Sequence, residues 1–312
     1  MNEKEKRMTS TPVVIAMTMF CCLLWGSAFP CIKIGYKLFE IPSGESFSQI
    51  LFGGTRFFLA GILAVLMGSV GNKKILIPKK ESVPKIFILS LFQTVLQYTF
   101  FYMGLANTTG MKSSIINSSN IFLSILAAVF VFRQEKLSVR KVLGCLLGFS
   151  GVVLINITEN ADMSLSFRGE GLILIAAVSK AFSSSFTKKF SAEENPVTLS
   201  GYQFIFGGFV MIMTGLVFGG RLNNINSKGL IMLLYLAFIS AAAFSLWGIL
   251  LKYNPVSRIS VFGFMNPVFG VILSAVFLSE EAVAESWKVT VSLMLVVLGI
   301  ITVNRKHTEK SA

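Results

Sequence analysis

Ten apolar stretches fill almost the whole of this 312-residue chain, each near the length of about 20 residues that a helix needs to cross a hydrocarbon core. They fall at residues 12–33, 48–69, 83–104, 109–132, 141–157, 169–189, 197–219, 228–251, 256–278 and 287–303. The links between them are short and leave no room for a soluble domain. Inside lipid, backbone N–H and C=O groups have no water to bond, so runs of this length are expected to be helices. The sequence therefore predicts an all-α integral membrane protein with about ten transmembrane helices, its main partner the lipid bilayer. With 54% hydrophobic and only 14% charged residues, a water-soluble fold would leave too much apolar surface exposed. Lys4, Lys6 and Arg7 before the first stretch resemble a secretion signal. That stretch is long enough to span, and Trp25, Pro30 and Lys33 make a poor cleavage site, so it reads as the first helix.

The chain carries 28 Lys+Arg against 15 Asp+Glu, a net +13. Such a balance can mark nucleic-acid binding. Here the basic residues sit in tufts between apolar stretches, where they orient a membrane protein, so no nucleic-acid partner is expected. With the N-terminus in the cytoplasm, nineteen basic residues fall in cytoplasmic segments and seven outside, with Arg56 and Lys180 inside spans. That bias predicts two cytoplasmic termini, in keeping with an even number of spans. Cys21, Cys22, Cys31 and Cys145 lie in apolar runs without metal-ligand spacing, and the single histidine, His307, is in the basic tail. Metal, histidine-based catalysis and cofactors are not expected. No GxxxxGK[ST] loop is present, so any driving energy comes from gradients.

The second half echoes the first. Gly54-Thr55-Arg56-Phe57-Phe58-Leu59-Ala60-Gly61 in the second span matches Gly201-Tyr202-Gln203-Phe204-Ile205-Phe206-Gly207-Gly208 in the seventh. Val131-Phe132-Arg133-Gln134-Glu135 after the fourth matches Val276-Phe277-Leu278-Ser279-Glu280 after the ninth. The offsets are 147 and 145 residues. Duplication follows, with residues 1–157 as one five-helix repeat and 158–312 as the other. Five is odd, so the second repeat must insert upside down, an arrangement characteristic of transporters.

Trp25-Gly26-Ser27-Ala28-Phe29, Arg56-Phe57, Asn266-Pro267, and the endings Glu135-Lys136-Leu137 and Glu280-Glu281 add a further indication. In this order and spacing, from about Val13 to Asn304, the chain resembles the EamA-type transporters of the drug/metabolite transporter superfamily. The resemblance implies two inverted five-helix repeats around a central cavity, a place in a plasma membrane such as the bacterial inner membrane, and export of amino acids or other metabolites. Phe122 stands where the family often has proline, and Lys180 where it usually has an aromatic residue.

Transport requires polar groups inside the membrane, which are costly unless they meet a cavity or a partner. Ser113, Asn117, Asn120 and Ser124 share one face of the fourth span, and Lys180, Ser183, Ser184 and Thr187 one face of the sixth. Gln93 and Gln97 do the same in the third, with Tyr98 and Tyr102 nearby, and Gln203 and Asn266 add donors. The expected substrate contacts are Lys180, Gln97, Asn117, Asn120 and Gln203, with Trp25 and Trp247 as apolar walls. The competing role for each Ser or Asn is interhelical bonding, worth about 0.6–2 kcal/mol per contact. Lys180 has no acidic residue in a membrane core to pair with, which calls for water, an anionic or zwitterionic solute, or an uncharged amine. The same lack of carboxylates disfavours proton-coupled exchange of cationic drugs.

Arg56 stands evenly between substrate contact and a structural role, its guanidinium able to snorkel outward. Glu135 and Glu280 read as caps on the helices that follow them. Gly144-xxx-Gly148 permits a close helix contact, within the chain or in a homodimer. The function expected is alternating-access movement of a small polar metabolite, by a monomer or homodimer. The rivals are a non-transporting assembly or sensor subunit and an intramembrane enzyme built on the lysine.

Overall fold

The computed structural model describes residues 3–42, 44–157, 165–278 and 286–305, and they contain helices and no strand. A seven-residue helix, Glu3–Thr9, precedes ten long ones. These are α1 (Thr11–Leu38), α2 (Ser46–Gly71), α3 (Lys80–Leu105), α4 (Gly110–Leu126), α5 (Val139–Asn156), α6 (Leu172–Phe190), α7 (Pro196–Val217), α8 (Ser227–Tyr253), α9 (Val256–Phe277) and α10 (Ser286–Asn304). Their starts follow local chemistry. Side-chain oxygens of Thr109, Ser138, Asn195 and Asn226 accept otherwise orphaned backbone N–H bonds at the starts of α4, α5, α7 and α8. Pro12 and Pro196 open α1 and α7, where a missing N–H costs nothing.

Among the described residues, nine helices are long and apolar enough to cross a membrane. The exception is α6, which carries Lys180, Lys188, Lys189 and the run Ser183–Ser185. The ten expected helices are present among the described residues, nine of them apolar enough to span and the tenth, α6, more polar but of comparable length. At 19 residues α6 still measures about 28 Å, and it packs against α3, α4 and α8. The helix least suited to lipid is the one whose polar face meets other helices.

The packing has an exchange symmetry. Helix α1 lies against α8 and α9, and α6, its counterpart five helices on, lies against α3 and α4. Counterparts α2 and α7 pack on each other, as do α5 and α10. Each half thus buries its helices chiefly against the other. At the α2–α7 crossing the repeat's own glycines meet. A Cβ at Gly61 would sit 2.6 Å from the Gly201 carbonyl oxygen, and one at Gly208 would sit 2.4 Å from the Phe58 nitrogen. The Gly144-xxx-Gly148 pair is used internally: its added Cβ atoms would meet Val303 and Gly299 of α10, and Phe264.

Pro267 explains an asymmetry between the halves. Lacking an N–H, it cannot bond the carbonyl four residues back, and α9 is wound as a tighter 3-10 turn at Val261–Phe264. Phe122 occupies the matching place in α4, and there the α-helix is unbroken from Gly110 to Leu126.

Candidate functional site

Between the halves lies a cavity of about 280 Å³ lined by α1, α2, α3, α4, α6, α8 and α9. Six of the seven expected contacts line it: Trp25, Gln97, Asn117, Asn120, Lys180 and Trp247. Lys180 is half-buried midway along α6. Its Nζ stands 5.4 Å from the centroid of the Trp25 ring, a cation–π distance. Trp25 in turn packs edge-on to Trp247 at 4.9 Å and Phe244 at 5.1 Å. Among the described residues no carboxylate forms an ion pair with Lys180, and none lines the cavity.

Several lining polar atoms are buried without a hydrogen-bond partner among the described residues, including Trp25 Nε1, Gln97 Oε1, Ser113 Oγ, Ser260 Oγ and Asn266 Oδ1. A buried polar atom left unsatisfied costs about 1–3 kcal/mol. Gathered around one void, such atoms describe a site that water or a solute completes. Both donors and acceptors are represented, so a zwitterion can be matched at each end.

Gln203 is the expected contact that lies elsewhere. It is fully buried, and its Oε1 accepts a 2.7 Å bond from Thr94 of α3, joining α7 to the neighbouring half. Ser124, Ser183, Thr187 and Gln93 also share helix faces with lining residues without lining the cavity. Ser124 and Ser183 instead bond carbonyls of their own helices. Replacing Gln203 with leucine is expected to lower the melting temperature, because the Thr94 hydroxyl is left unpaired, and to leave the apparent solute affinity unchanged. Thermal unfolding beside a transport assay separates the two.

Arg56 does not snorkel. Only 3% exposed, it donates through Nε to Ser240 Oγ at 3.0 Å and Leu236 O at 3.3 Å on α8, and it also lines the cavity. It can therefore place charge at the site while holding α2 to α8. Tyr36 and Ser260 also line the cavity and were not singled out from sequence. A signal existed for both. Trp25, Phe29, Ile32 and Tyr36 recur at helical spacing, though lipid-facing residues do the same. Ser260, Gly263 and Asn266 recur every three residues, and the 3-10 turn brings such positions onto one face.

The cavity reaches the α3–α4 turn through Leu105 and Gly110. It is shut at the other end, on the face that carries the N-terminal helix and Arg305, here called the terminal face. There the Glu135 carboxylate accepts from Ser257 N at 2.9 Å and from Ser257 Oγ, and pairs with Lys141 Nζ at 2.6 Å. Glu135 thus caps the start of α9, in the opposite half, rather than the helix that follows it. Glu280 and Glu281 lie outside the described residues, as does His307. Lys188 Nζ donates to Asn254 O at 2.6 Å, and Gln134 Nε2 to Ser185 O at 2.9 Å. Together these bonds tie the end of α4, α6 and the α8–α9 turn.

Two interlocked five-helix halves around a partly polar cavity that is closed at one end define a polytopic membrane transporter. The chain belongs to the EamA-like transporter family, whose model matches it twice, at residues 12–157 and 167–305. A relative from Archaeoglobus fulgidus, named an uncharacterized transporter, is 28% identical over 95% of this chain and 99% of its own. One from Escherichia coli, named a probable amino-acid metabolite efflux pump, is 24% identical over 85% of this chain and 87% of its own. A similarly named Salmonella typhimurium protein is 25% identical, over 85% and 86% respectively. A solved crystal structure shares the fold with a TM-score of 0.77 at 16% identity, over 95% of this chain and 97% of that one.

Proposed function

We propose that this transporter carries a small carboxylate-bearing metabolite, an amino acid or an organic anion, by alternating access between its two halves. The observation behind the substrate class is the Lys180 ammonium on Trp25, in a cavity lined by no carboxylate among the described residues. An ammonium held within a membrane span without an anionic partner is costly, and a solute carboxylate supplies that partner. The amide oxygens of Gln97 and Asn266 and the aromatic walls offer places for an amino group. Residues 1–157 and 158–312 act as the two moving units. By the positive-inside bias the terminal face is cytoplasmic in a cell membrane, and the cavity then faces outward. The efflux names of the Escherichia coli and Salmonella typhimurium relatives favour export.

The test is uptake and counterflow in proteoliposomes, with pooled radiolabelled amino acids and organic acids. Saturable flux of a carboxylate-bearing solute supports the reading, and flux of none of them overturns it.

Alternating access makes a separate prediction at the closed end. With Glu135→Ala, Ser257 N–H loses its acceptor and Lys141 its counter-ion, so opening on the terminal face becomes easier. A cysteine introduced at Ser260 is expected to react severalfold faster with an impermeant maleimide applied to that face. An unchanged rate would mean that the Glu135 contacts do not hold that end shut.

A further inference from the structure

The segment Lys73-Lys74-Ile75-Leu76-Ile77-Pro78-Lys79-Lys80 joins α2 to α3 on the terminal face. Its alternation divides its side chains. Leu76 is buried at 3% exposure, while Ile75 and Ile77 project at 77% and 71%. The backbone is held from behind, since Leu76 O accepts from the Tyr202 hydroxyl of α7 at 3.1 Å. Beside it runs an apolar groove of about 390 Å³ between α2, α3 and α7, bordered by Pro78, Val83, Phe87, Tyr202, Phe206 and Phe209. The groove crosses the boundary between the two halves, and Val83, Phe87, Phe206 and Phe209 are exposed along it.

Charge distinguishes this groove from an ordinary lipid-facing surface. Lys85 is paired with Glu193, whose carboxyl it holds below the usual carboxylate range, and Lys79 Nζ donates to Glu193 O at 2.9 Å. Lys73, Lys74 and Lys80 are exposed, and their ammonium groups have no hydrogen-bond or ion-pair partner among the described residues. Two outward isoleucines between lysines suit a strip that dips into a leaflet of negative headgroups. We infer that this groove and strip form a binding site for a phospholipid of net negative headgroup. An acyl chain lies in the groove and the headgroup phosphate beside Lys74 and Lys80. A lipid seated there touches α2 and α3 of one half and α7 of the other, and so fastens their packing.

The experiment compares phosphatidylglycerol with phosphatidylcholine of identical acyl chains, using the full purified chain and reading retained lipid by native mass spectrometry. Wild type is expected to retain the anionic lipid at least about fivefold better. Lys74→Gln with Lys80→Gln, both exposed positions, is expected to erase that preference without lowering the melting temperature of the lipid-free protein. Val83→Trp fills the groove and is expected to lose both lipids. Equal retention of the two lipids by wild type, or a preference that survives the lysine changes, overturns the proposal. So does thermal stabilisation by glycerol phosphate equal to that by the lipid, because the acyl groove would then contribute nothing. Should the double variant fail to fold, Lys80→Gln alone is expected to reduce the preference, and no reduction would count against the site.

Discussion

Replacing Lys180 with methionine is expected to cut saturable flux of carboxylate-bearing solutes by at least about tenfold, with the protein folded as before. Methionine keeps an unbranched apolar stem of similar reach and removes only the ammonium. A hydrogen bond to a charged group contributes about 1.5–3 kcal/mol, equivalent to about 10- to 150-fold in affinity. Stability moves the other way. Holding a lysine near the middle of a span costs about 2.5–3.5 kcal/mol on the insertion scale. The contact with Trp25 at 5.4 Å returns only about 0.5–2 kcal/mol. The variant should therefore melt no lower than wild type. Counterflow at fixed protein density, with a melting curve on the same sample, tests both halves of this prediction. Unaltered flux would remove Lys180 from the binding site while leaving the transporter assignment intact.

Gly208→Ala should do the opposite, destroying the fold while touching nothing in the cavity. In an isolated helix this change gains about 1 kcal/mol. Here the new Cβ would stand 2.4 Å from Phe58 N and 2.8 Å from both Gly54 O and Phe58 Cα. All three are backbone atoms and cannot rotate aside, so α2 and α7 must separate along the contact that joins the halves. Overpacking costs about 1–3 kcal/mol even where side chains can yield, and more where they cannot. The expected result is a broadened or aggregated elution profile and a lowered or absent melting transition. Gly71→Ala is the control: nothing lies within 4 Å of a Cβ there, and the variant should behave as wild type. If Gly208→Ala elutes and melts normally, close glycine packing does not join the halves.

These glycines show where the sequence was informative and where it stopped. Gly54, Gly61, Gly201 and Gly208 were legible as marks of a duplication because they recur at one offset. Their meeting across α2 and α7 was not, since an offset says nothing about which helices cross. The lining residues divide the same way. Helical spacing grouped Asn117 with Asn120 and Lys180 with Ser184, and all four line the cavity. It could not show that Ser124 and Ser183 would turn to carbonyls of their own helices, or that Gln203 would meet Thr94. Arg56 had apolar stem enough to snorkel, and Ser240 with the Leu236 carbonyl, 180 and more residues away, held it inward instead. Glu135 carried a helix-capping signal, but the N-terminus it caps belongs to the opposite half.

The sequence by itself determined the solvent, the approximate number of helices and the duplication, because each depends on run length, apolar content or recurrence along the chain. The odd number of helices per half then implied that the halves insert in opposite senses. Only the tertiary structure decided which polar faces enclose a cavity and which are buried against neighbours. Period along a helix determines that residues share a face, while the neighbour that face meets is set by how the two halves interlock.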